Sequence, residues 1–260
     1  MPYKDHEPID LAAANFVVGQ LEGFEKDNIT NAFAGFVDEV LGKINDGKEA
    51  TVYLCRADAD AIASGTVDQP YLAAKMYRAR KFRNFENDRS YRNFDKMRDK
   101  RLARAMRGKT RKGQRAFHGQ WIESEWQSLT RLWELGVRVP RPYLHYADGI
   151  LMGYIGTDAG PAPRLINCRL DDSTAGILLA AILDDLKLMI EGNLVHGDFS
   201  AYNILFDGER HTIIDVPQAV DTRVSPDAYN LFQRDLINLE KYFSRYHLTV
   251  PVDELMHRYF

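Results

Sequence analysis

Residues 194–221, LVHGDFSAYNILFDGERHTIIDVPQAVD, contain two apolar runs that each end in an aspartate. The first run leads to Asp198, within His-Gly-Asp, and the second leads to Asp215, within Ile-Asp-Val. A carboxylate at the end of a buried strand is costly unless a cation, a metal ion or a bound partner meets it. Asn203 follows in the intervening loop, and amide and carboxylate oxygens are suitable ligands for a hard metal ion. The stretch therefore predicts a functional site.

The sequence before this stretch predicts a small antiparallel sheet and a helix. Three β-like runs, VLGKI, ATVYLCRA and YLAAKMYR, are separated by NDGKE and by a polar turn region at 58–70. Residues 119–135 carry apolar side chains near helical spacing, and Gly136 follows as a C-cap. Two further short strands, PYLHY and ILMGYI, are joined by a turn at 147–149.

The remainder of the chain predicts a mainly helical half. Residues 173–191 open with Ser and Thr as candidate caps and are apolar almost all round, which is typical of a buried helix. Residues 226–243 and 251–260 predict two amphipathic helices, the second with Pro251 in its first turn. Residues 1–38 predict one or two helices without catalytic groups.

This order of elements resembles that of protein kinases, and each kinase role has a candidate. Lys75 occupies the position of the lysine in a V-A-I-K strand, and Glu125 lies on the following helix as its expected partner. Asp198 matches the catalytic-loop aspartate, and Asn203 and Asp215 match the metal ligands. Phosphoryl transfer needs such a set, because the triphosphate charge must be clamped while the acceptor hydroxyl is held in line.

Three segments carry a closer resemblance, to the RIO-type atypical protein kinases. GKEATVYLC (47–55) resembles the phosphate loop of that family, VHGDFSAYNIL (195–205) its catalytic loop and IDVPQAVD (214–221) its metal-binding loop. The resemblance runs from about residue 40 to the end and favours the first RIO subfamily, because residues 1–38 are too short and unbasic for a winged-helix module. It implies an α+β fold, that of an abbreviated two-lobe kinase. It further implies that the protein uses ATP with Mg²⁺ or Mn²⁺, phosphorylates itself on serine and has an ATPase-like capacity.

The resemblance also implies a role for each candidate residue. Asp198 would be catalytic, with Lys75 and Glu125 as the phosphate-clamping pair, and Asn203 and Asp215 would hold the metal. ATP would bind between the lobes, with its phosphates over the 47–49 loop and its adenine against the backbone of 152–156. The residues expected to contact the nucleotide are Gly47, Lys48, Glu49, Val52, Lys75, Met152, Tyr154 and Ile155.

The expected domains are an N-terminal helical extension over 1–38, an N-lobe over 39–152 with a basic mobile loop at about 79–116, and a C-lobe over 153–260. Too few residues follow Asp215 for the activation segment and substrate-docking helices of an ordinary protein kinase. The family usually has Ser or Thr just before the first loop glycine, whereas this chain has Asp46, whose charge we expect Lys48 to offset.

Residues 78–115 are strongly basic, with 16 Lys and Arg against 4 Asp and Glu, although the whole chain has a net charge of -3. Arginines alternate there with aromatic residues, a composition suited to phosphate contact and base stacking. We expect either a basic loop beside the active site, with Ser90 or Thr110 as an autophosphorylation site, or a surface for RNA or a ribosomal particle. The two interpretations are compatible.

Two alternative functions share parts of this pattern. A small-molecule kinase of the aminoglycoside or choline type has the same HGD, asparagine and later aspartate, but the interval between Gly156 and His196 leaves little room for its substrate-binding helices. A ribosome- or RNA-associated factor could use ATP turnover only as a switch. GKEATVY and IDVPQAVD favour the protein kinase.

Two other features bear on the cellular environment. Cys55 and Cys168 lack metal-site or disulfide spacing, which predicts two packed thiols in a reducing compartment. The first residues carry acidic groups where a signal peptide needs basic ones, and no apolar run approaches the roughly 18 residues that span a bilayer. We therefore expect a cytoplasmic protein without membrane association.

Overall fold

The computed structural model describes residues 23–78, 111–146, 148–157 and 160–260. Its first part contains α1 (Gly23–Ala32), β1 (Val37–Asp46), β2 (Ala50–Ala57), α2 (Ala59–Ala63), β3 (Tyr71–Tyr77), α3 (Arg111–Glu134), β4 (Pro142–Tyr146) and β5 (Gly149–Gly153). The short strands β6 (Gly156–Thr157) and β7 (Gly160–Pro161) follow. The predicted α+β class is confirmed.

The second part is mainly helical. It contains α4 (Asp172–Glu191), β8 (Leu194–Val195), β9 (Ile204–Phe206), β10 (His211–Ile213), β11 (Val220–Asp221), α5 (Ala228–Phe243) and α6 (Val252–Tyr259). Single 3₁₀ turns lie at Leu165–Asn167 and Ser244–Tyr246. The helices predicted after residue 38 are present within two residues of their expected bounds, except at the start of α3.

β1 to β5 form one antiparallel sheet in the order β1-β2-β3-β5-β4. One face of this sheet packs on α1, where Ile29 and Phe33 are buried together with Tyr53, Cys55 and Leu151. The opposite face carries the alternate residues, since successive side chains in a strand point to opposite sides. The sheet thus has a core face and a second face, on which Lys75 lies.

The predicted helical extension over 1–38 includes α1, but α1 packs into the core of the sheet and β1 already begins at Val37. Residues 1–22 lie outside the described part. Contacts divide the chain into two units, the first within 1–127, 142–154 and 158–161 and the second within 128–141, 155–157 and 162–260. This division places 128–141 with the second unit, whereas the prediction put them in the first lobe. The functional lobe boundaries stay a prediction.

Two local predictions were wrong. The region 58–70, predicted as turns, contains α2, because the Asp58 carboxylate caps it by accepting hydrogen bonds from the N–H groups of Asp60 and Ala61 at 2.9 and 3.1 Å. The cap of α4 is Asp171, which accepts from both the N–H and the hydroxyl of Thr174 at 2.8 Å. The Ser and Thr expected as caps lie inside the helix.

Cys55 is buried and Cys168 is half-buried, and both thiols are free, as expected. Burial raises the pKa of Cys55 to about 12. None of the helices within the described ranges combines the length and the apolar character needed to cross a membrane.

Candidate active site

The predicted pairing of Lys75 with Glu125 is confirmed. Lys75, in β3, donates from Nζ to Oε1 of Glu125, in α3, at 2.5 Å. Only 12% of the lysine side chain and 5% of the glutamate side chain are exposed. Because water screens this pair poorly, the two charges are strongly coupled. The ion pair fixes a cation on one face of the sheet.

Two of the predicted nucleotide-contacting residues lie on the same sheet face as this cation. Val52 is directly opposite Lys75 across β2 and β3, so both side chains point to the same side. Met152 pairs with Ala73, which is two residues before Lys75 and therefore shares its face. Both apolar side chains are half-buried. Their contact with nucleotide stays a prediction.

The predicted phosphate loop is a tight turn between β1 and β2. The N–H of Gly47 donates to the carbonyl of Ala50 at 3.0 Å, and a Cβ on Gly47 would lie only 3.1 Å from that oxygen. Glycine thus allows the close backbone approach. Lys48 is exposed and Glu49 is half-buried, and the Glu49 carbonyl accepts from the N–H of Arg78 at 2.9 Å.

The carboxylate of Asp46 contacts Thr51 and Arg78, whereas we expected Lys48 to offset its charge. Its carboxylate accepts from the Thr51 hydroxyl at 2.9 Å and forms a salt bridge with the guanidinium of Arg78. Arg78 also donates to the Thr51 hydroxyl at 3.0 Å. The expectation that Lys48 offsets Asp46 is thus replaced by a pairing with Arg78, which sequence spacing alone did not indicate.

The remaining predicted adenine contacts are Tyr154 and Ile155. Tyr154 is buried and its ring meets that of Tyr71 edge-on, with centroids 6.4 Å apart. Ile155 is half-buried, and its carbonyl accepts from the N–H of Ala162 at 3.0 Å. Their role in binding adenine stays a prediction.

In the second unit, Asp198 is an exposed residue in a loop, and the residues on both sides of it in the chain are buried. His196 and Phe199 are 1% and 0% exposed, and their rings pack edge-to-face at 5.4 Å. His196 contacts the Ile214 carbonyl through Nε2 at 3.2 Å and accepts from the Asp198 N–H through Nδ1 at 3.3 Å. These contacts place the imidazole proton on Nε2. The imidazole thus supports the loop around Asp198.

Asp235, in α5, anchors this loop and was missed from the sequence. Its two carboxylate oxygens accept from the N–H groups of Gly197 and Phe199 at 2.8 and 2.9 Å. Asn238, one helical turn later, donates to the Phe199 carbonyl at 3.1 Å. The only sequence signal was an acidic residue within the apolar face of α5, between Phe232 and Leu236. Burial raises the pKa of Asp235 above its ordinary value.

Gly197 has a backbone conformation that other residues rarely adopt, with φ of 78°. A Cβ at this position would lie 2.8 Å from the Gln218 carbonyl oxygen. The Gly197 carbonyl also accepts from the guanidinium of Arg234. The glycine of His-Gly-Asp is therefore required both by its φ and by the close approach of the 214–221 loop.

Asn203 links the two aspartates that the sequence singled out, through its side chain to Asp198 and through its backbone to the residue before Asp215. Asn203 donates from Nδ2 to the Asp198 carbonyl at 2.9 Å and to its Oδ2 at 3.4 Å. The Asn203 carbonyl accepts from the N–H of Ile214 at 2.9 Å, and Asp215 is the next residue. Asp215 is exposed and has a φ of 65°, a left-handed conformation that is costly for a residue with a Cβ. Strain of this kind is common at ligand-binding positions.

The donor set of Asn203 and Asp215 fits a hard divalent cation, because Mg²⁺ is usually held by one or two protein oxygens together with waters and phosphates. Within the described ranges, no group of three or more His, Cys, Asp or Glu is arranged to hold a metal ion by itself. Residues 79–110 of the basic segment, with Ser90 and Thr110, lie outside the described residues.

Comparisons with known proteins agree with this geometry. A family model described as the RIO domain matches residues 52–255. The RIO-type serine/threonine-protein kinase Rio1 of Methanocaldococcus jannaschii is 31% identical over 243 residues, which cover 91% of this chain and 73% of the relative. Serine/threonine-protein kinase RIO1 of Caenorhabditis elegans is 32% identical over 219 residues, which cover 84% of this chain but 39% of the relative.

Solved structures show the same fold. A complex of Rio2 kinase from Chaetomium thermophilum, described as containing ADP, Mg²⁺ and phosphoaspartate, superposes with a TM-score of 0.58 at 20% identity. The match covers 88% of this chain and 62% of that one. Since the RIO domain match spans most of the chain and includes the loops of Asp198 and Asp215, this chain belongs to the RIO family.

Proposed function

We propose that this chain is an ATP-dependent protein serine/threonine kinase of the RIO type, which phosphorylates itself and is capable of ATPase-like turnover. The observation that carries the proposal is the position of Asp198. Its side chain is exposed, while the loop on both sides is buried and tied by backbone hydrogen bonds to Asp235. A carboxylate held in this way can act on a substrate without a large reorganisation of the loop.

The predicted catalytic and metal-binding residues each have a role in this proposal. Lys75, oriented by Glu125, neutralises phosphate charge on ATP. Asp198 accepts the proton of the acceptor hydroxyl, which it can do as a carboxylate within hydrogen-bond reach. Asn203 and Asp215 would hold Mg²⁺ or Mn²⁺, which when bound supplies positive charge beside the phosphate oxygens.

A covalent route is a second candidate for Asp198. The Chaetomium relative is described as a phosphoaspartate complex, and its likeness to this chain is one of fold. In this route a carboxylate oxygen of Asp198 bonds to the γ phosphorus of ATP while the bond to the β–γ bridging oxygen breaks and ADP leaves. Water then hydrolyses the acyl phosphate. The exposure of Asp198 is compatible with either route.

Family membership favours a protein acceptor over an aminoglycoside or choline, since the relatives are named serine/threonine-protein kinases. The curated C. elegans relative is much longer than this chain, so substrates and partners form part of the proposal. The proposed partners include a ribosomal particle or RNA, which would bind the basic segment 78–115. A cytoplasmic location remains a prediction from the sequence.

The test is incubation of the purified protein with γ-labelled ATP and Mg²⁺, in separate reactions with a generic protein, ribosomal particles, and aminoglycosides or choline. Label on the chain itself or on protein is expected. Label transferred only to the small molecule would favour the alternative phosphotransferase. Release of phosphate that depends on ribosomal particles, without labelled protein, would favour the ATPase switch.

A further inference from the structure

The carboxylate of Glu125 makes two short contacts, one through each oxygen. Oε1 accepts from Lys75 Nζ at 2.5 Å, and Oε2 accepts from the hydroxyl of Tyr77 at 2.5 Å. Lys75 and Tyr77 are two residues apart in β3, so their side chains lie on the same face of the sheet. One strand thus supplies both a cation and a neutral donor to one glutamate.

Tyr77 also contacts the other members of this group through its ring. Lys75 Nζ lies 5.3 Å from the centroid of the ring, within cation–π range. The ring packs edge-to-face on Trp121, with centroids 5.2 Å apart and an interplanar angle of 88°. Trp121 precedes Glu125 by one helical turn, so Tyr77 contacts two successive turns of α3.

We propose that Tyr77 is a positioning residue, which fixes the Glu125 carboxylate and thereby holds Lys75 in place for phosphate binding. A glutamate has three rotatable side-chain bonds, so the contact of Oε1 with Lys75 does not by itself fix the plane of the carboxylate. The hydroxyl of Tyr77 fixes the second oxygen and hence the plane. Tyr77 is 5% exposed and Glu125 4%, so water competes little with this contact.

The hydrogen bond is of the stronger kind, because its acceptor is charged. It also gives the buried carboxylate a second donor, which offsets part of the cost of burying its charge. The ring of Tyr77 packs on Trp121, and this packing fixes the position of the Tyr77 hydroxyl relative to α3. The consequence for phosphoryl transfer rests on the proposed function, whereas the positioning of Lys75 and Glu125 by Tyr77 does not.

The experiment uses Tyr77→Phe, which removes the hydroxyl and retains the ring. The matched control is Tyr53→Phe, since Tyr53 is equally buried in the same sheet and donates to a different glutamate, Glu25, at 3.4 Å. Glu25 in turn pairs with Lys43 at 3.3 Å. Both variants keep their aromatic packing, so both should fold.

The first readout is acetylation of individual lysines by trace acetic anhydride, followed by peptide mass spectrometry. Only the neutral amine reacts, so a weaker ion pair leaves a larger fraction of the lysine in the reactive, neutral form. Tyr77→Phe should raise labelling of Lys75 about threefold or more and leave Lys43 unchanged. Tyr53→Phe should leave Lys75 unchanged. Wild-type labelling of Lys75 in Tyr77→Phe would overturn the proposal, whatever the protein catalyses.

The second readout is ATP turnover. Tyr77→Phe should lower kcat/KM about tenfold, and less than about twofold when Glu125→Gln is already present, because both changes act through one carboxylate. Effects that multiply would show that Tyr77 acts independently of Glu125 and would overturn the proposal. A wild-type protein without any turnover would instead reject the proposed function, and the labelling of Lys75 would then decide the role of Tyr77.

Discussion

Asp235 accepts a hydrogen bond from the backbone N–H of Phe199 at 2.9 Å, although the two residues are 36 positions apart in the chain. The second oxygen of Asp235 accepts from Gly197, so the peptide units on both sides of Asp198 are held by one carboxylate. The carboxylate of Asp198 takes part in neither of these two hydrogen bonds. The loop is therefore ordered from behind, while its central carboxylate remains exposed.

Asp235→Asn should weaken both the loop and the activity. An amide NH₂ cannot accept a hydrogen bond, so one of the two backbone N–H groups loses its partner in a buried place. The expected cost is about 1–3 kcal/mol of unfolding free energy, measured by urea denaturation, with a clear loss of ATP turnover. The matched control is Asp253→Asn, on the exposed first turn of α6. Equal stability of the two variants would contradict this account.

Asp198→Ala should abolish autophosphorylation and retain ATP binding, because Asp198 is exposed and contributes little to packing. Calorimetric ATP titration and labelling with γ-labelled ATP measure the two effects separately. Hydroxylamine distinguishes the routes, since it cleaves an acyl phosphate and leaves phosphoserine intact. Hydroxylamine-stable label alone, even in a single turnover, would argue against the covalent route. Undiminished labelling of Asp198→Ala would remove this residue from the catalytic role.

Lys75→Met should eliminate most phosphoryl transfer, and the buried ion pair indicates a loss of stability where the sequence indicated little change. Removing Lys75 takes away the cation of a buried ion pair while the charge of Glu125 remains, at a cost of about 3 kcal/mol or more. The double variant Lys75→Met, Glu125→Gln should regain part of that stability but no activity. Urea denaturation and ATP turnover measure the two quantities.

The matched control for Lys75 is Lys43→Met, whose ion pair with Glu25 is more exposed, at 20% and 34% of the two side chains. It should cost about 1 kcal/mol or less and preserve turnover. Full activity of Lys75→Met would show that another lysine binds the phosphates, with Lys48 as the first to test.

The sequence predicted the fold wherever the pattern was local. β2 is bounded as expected, because its alternation of core and second-face residues ends at clear turn residues. α3 begins at Arg111, eight residues before the predicted start, since its first two turns are basic and carry no apolar period. The cap at Asp58 was overlooked within a run of polar residues.

The candidate site was predictable to a lesser degree. Lys75, Asp198, Asn203 and Asp215 stand in recognisable short segments, whereas Asp235, Tyr77 and Arg78 act through partners distant in the chain. A lone aspartate in an amphipathic helix has no sequence context that reveals which N–H groups it meets. The left-handed backbone of Asp215 was equally hidden, because only packing forces it.

Stability should fall in acid partly through Asp221. The hydrogen bonds from Arg223, at 2.6 and 2.9 Å, and from Arg131, at 3.3 Å, hold the pKa of Asp221 well below its usual range. A lowered pKa contributes stability that is present above the unfolded value of about 3.9 and is lost as pH falls through the folded value. Asp221→Asn should therefore be less stable at pH 7, and the difference should shrink as the pH falls below the unfolded value.

Because Arg223 is largely exposed, the difference at pH 7 should be only about 1 kcal/mol or less. Thermal unfolding of the wild type and of Asp221→Asn, followed from pH 7 to about pH 2, measures it. The two curves should begin to approach each other below about pH 4. Curves that stay parallel over the whole range would show that the charge of Asp221 does not contribute to stability.

The last prediction concerns Asp185, which is 0% exposed and links two parts of the second unit. Its Oδ2 lies 2.6 Å from Nε2 of His211, in β10, and its Oδ1 accepts from Nη1 of Arg138 at 2.9 Å. The Arg138 carbonyl accepts from the N–H of Ile213 at 2.7 Å, so the same contacts hold the strand that leads to Asp215.

His211→Phe should destabilise the protein by about 3 kcal/mol, because a buried carboxylate loses one of its partners. The double variant Asp185→Leu, His211→Phe should be more stable than His211→Phe by about 1 kcal/mol or more, since no buried charge remains on the aspartate side. The Arg138 side chain is 45% exposed, so water can hydrate the guanidinium that loses its partner. Urea denaturation of the wild type, both single variants and the double variant measures the coupling. Additive losses would contradict the pairing of Asp185 with His211.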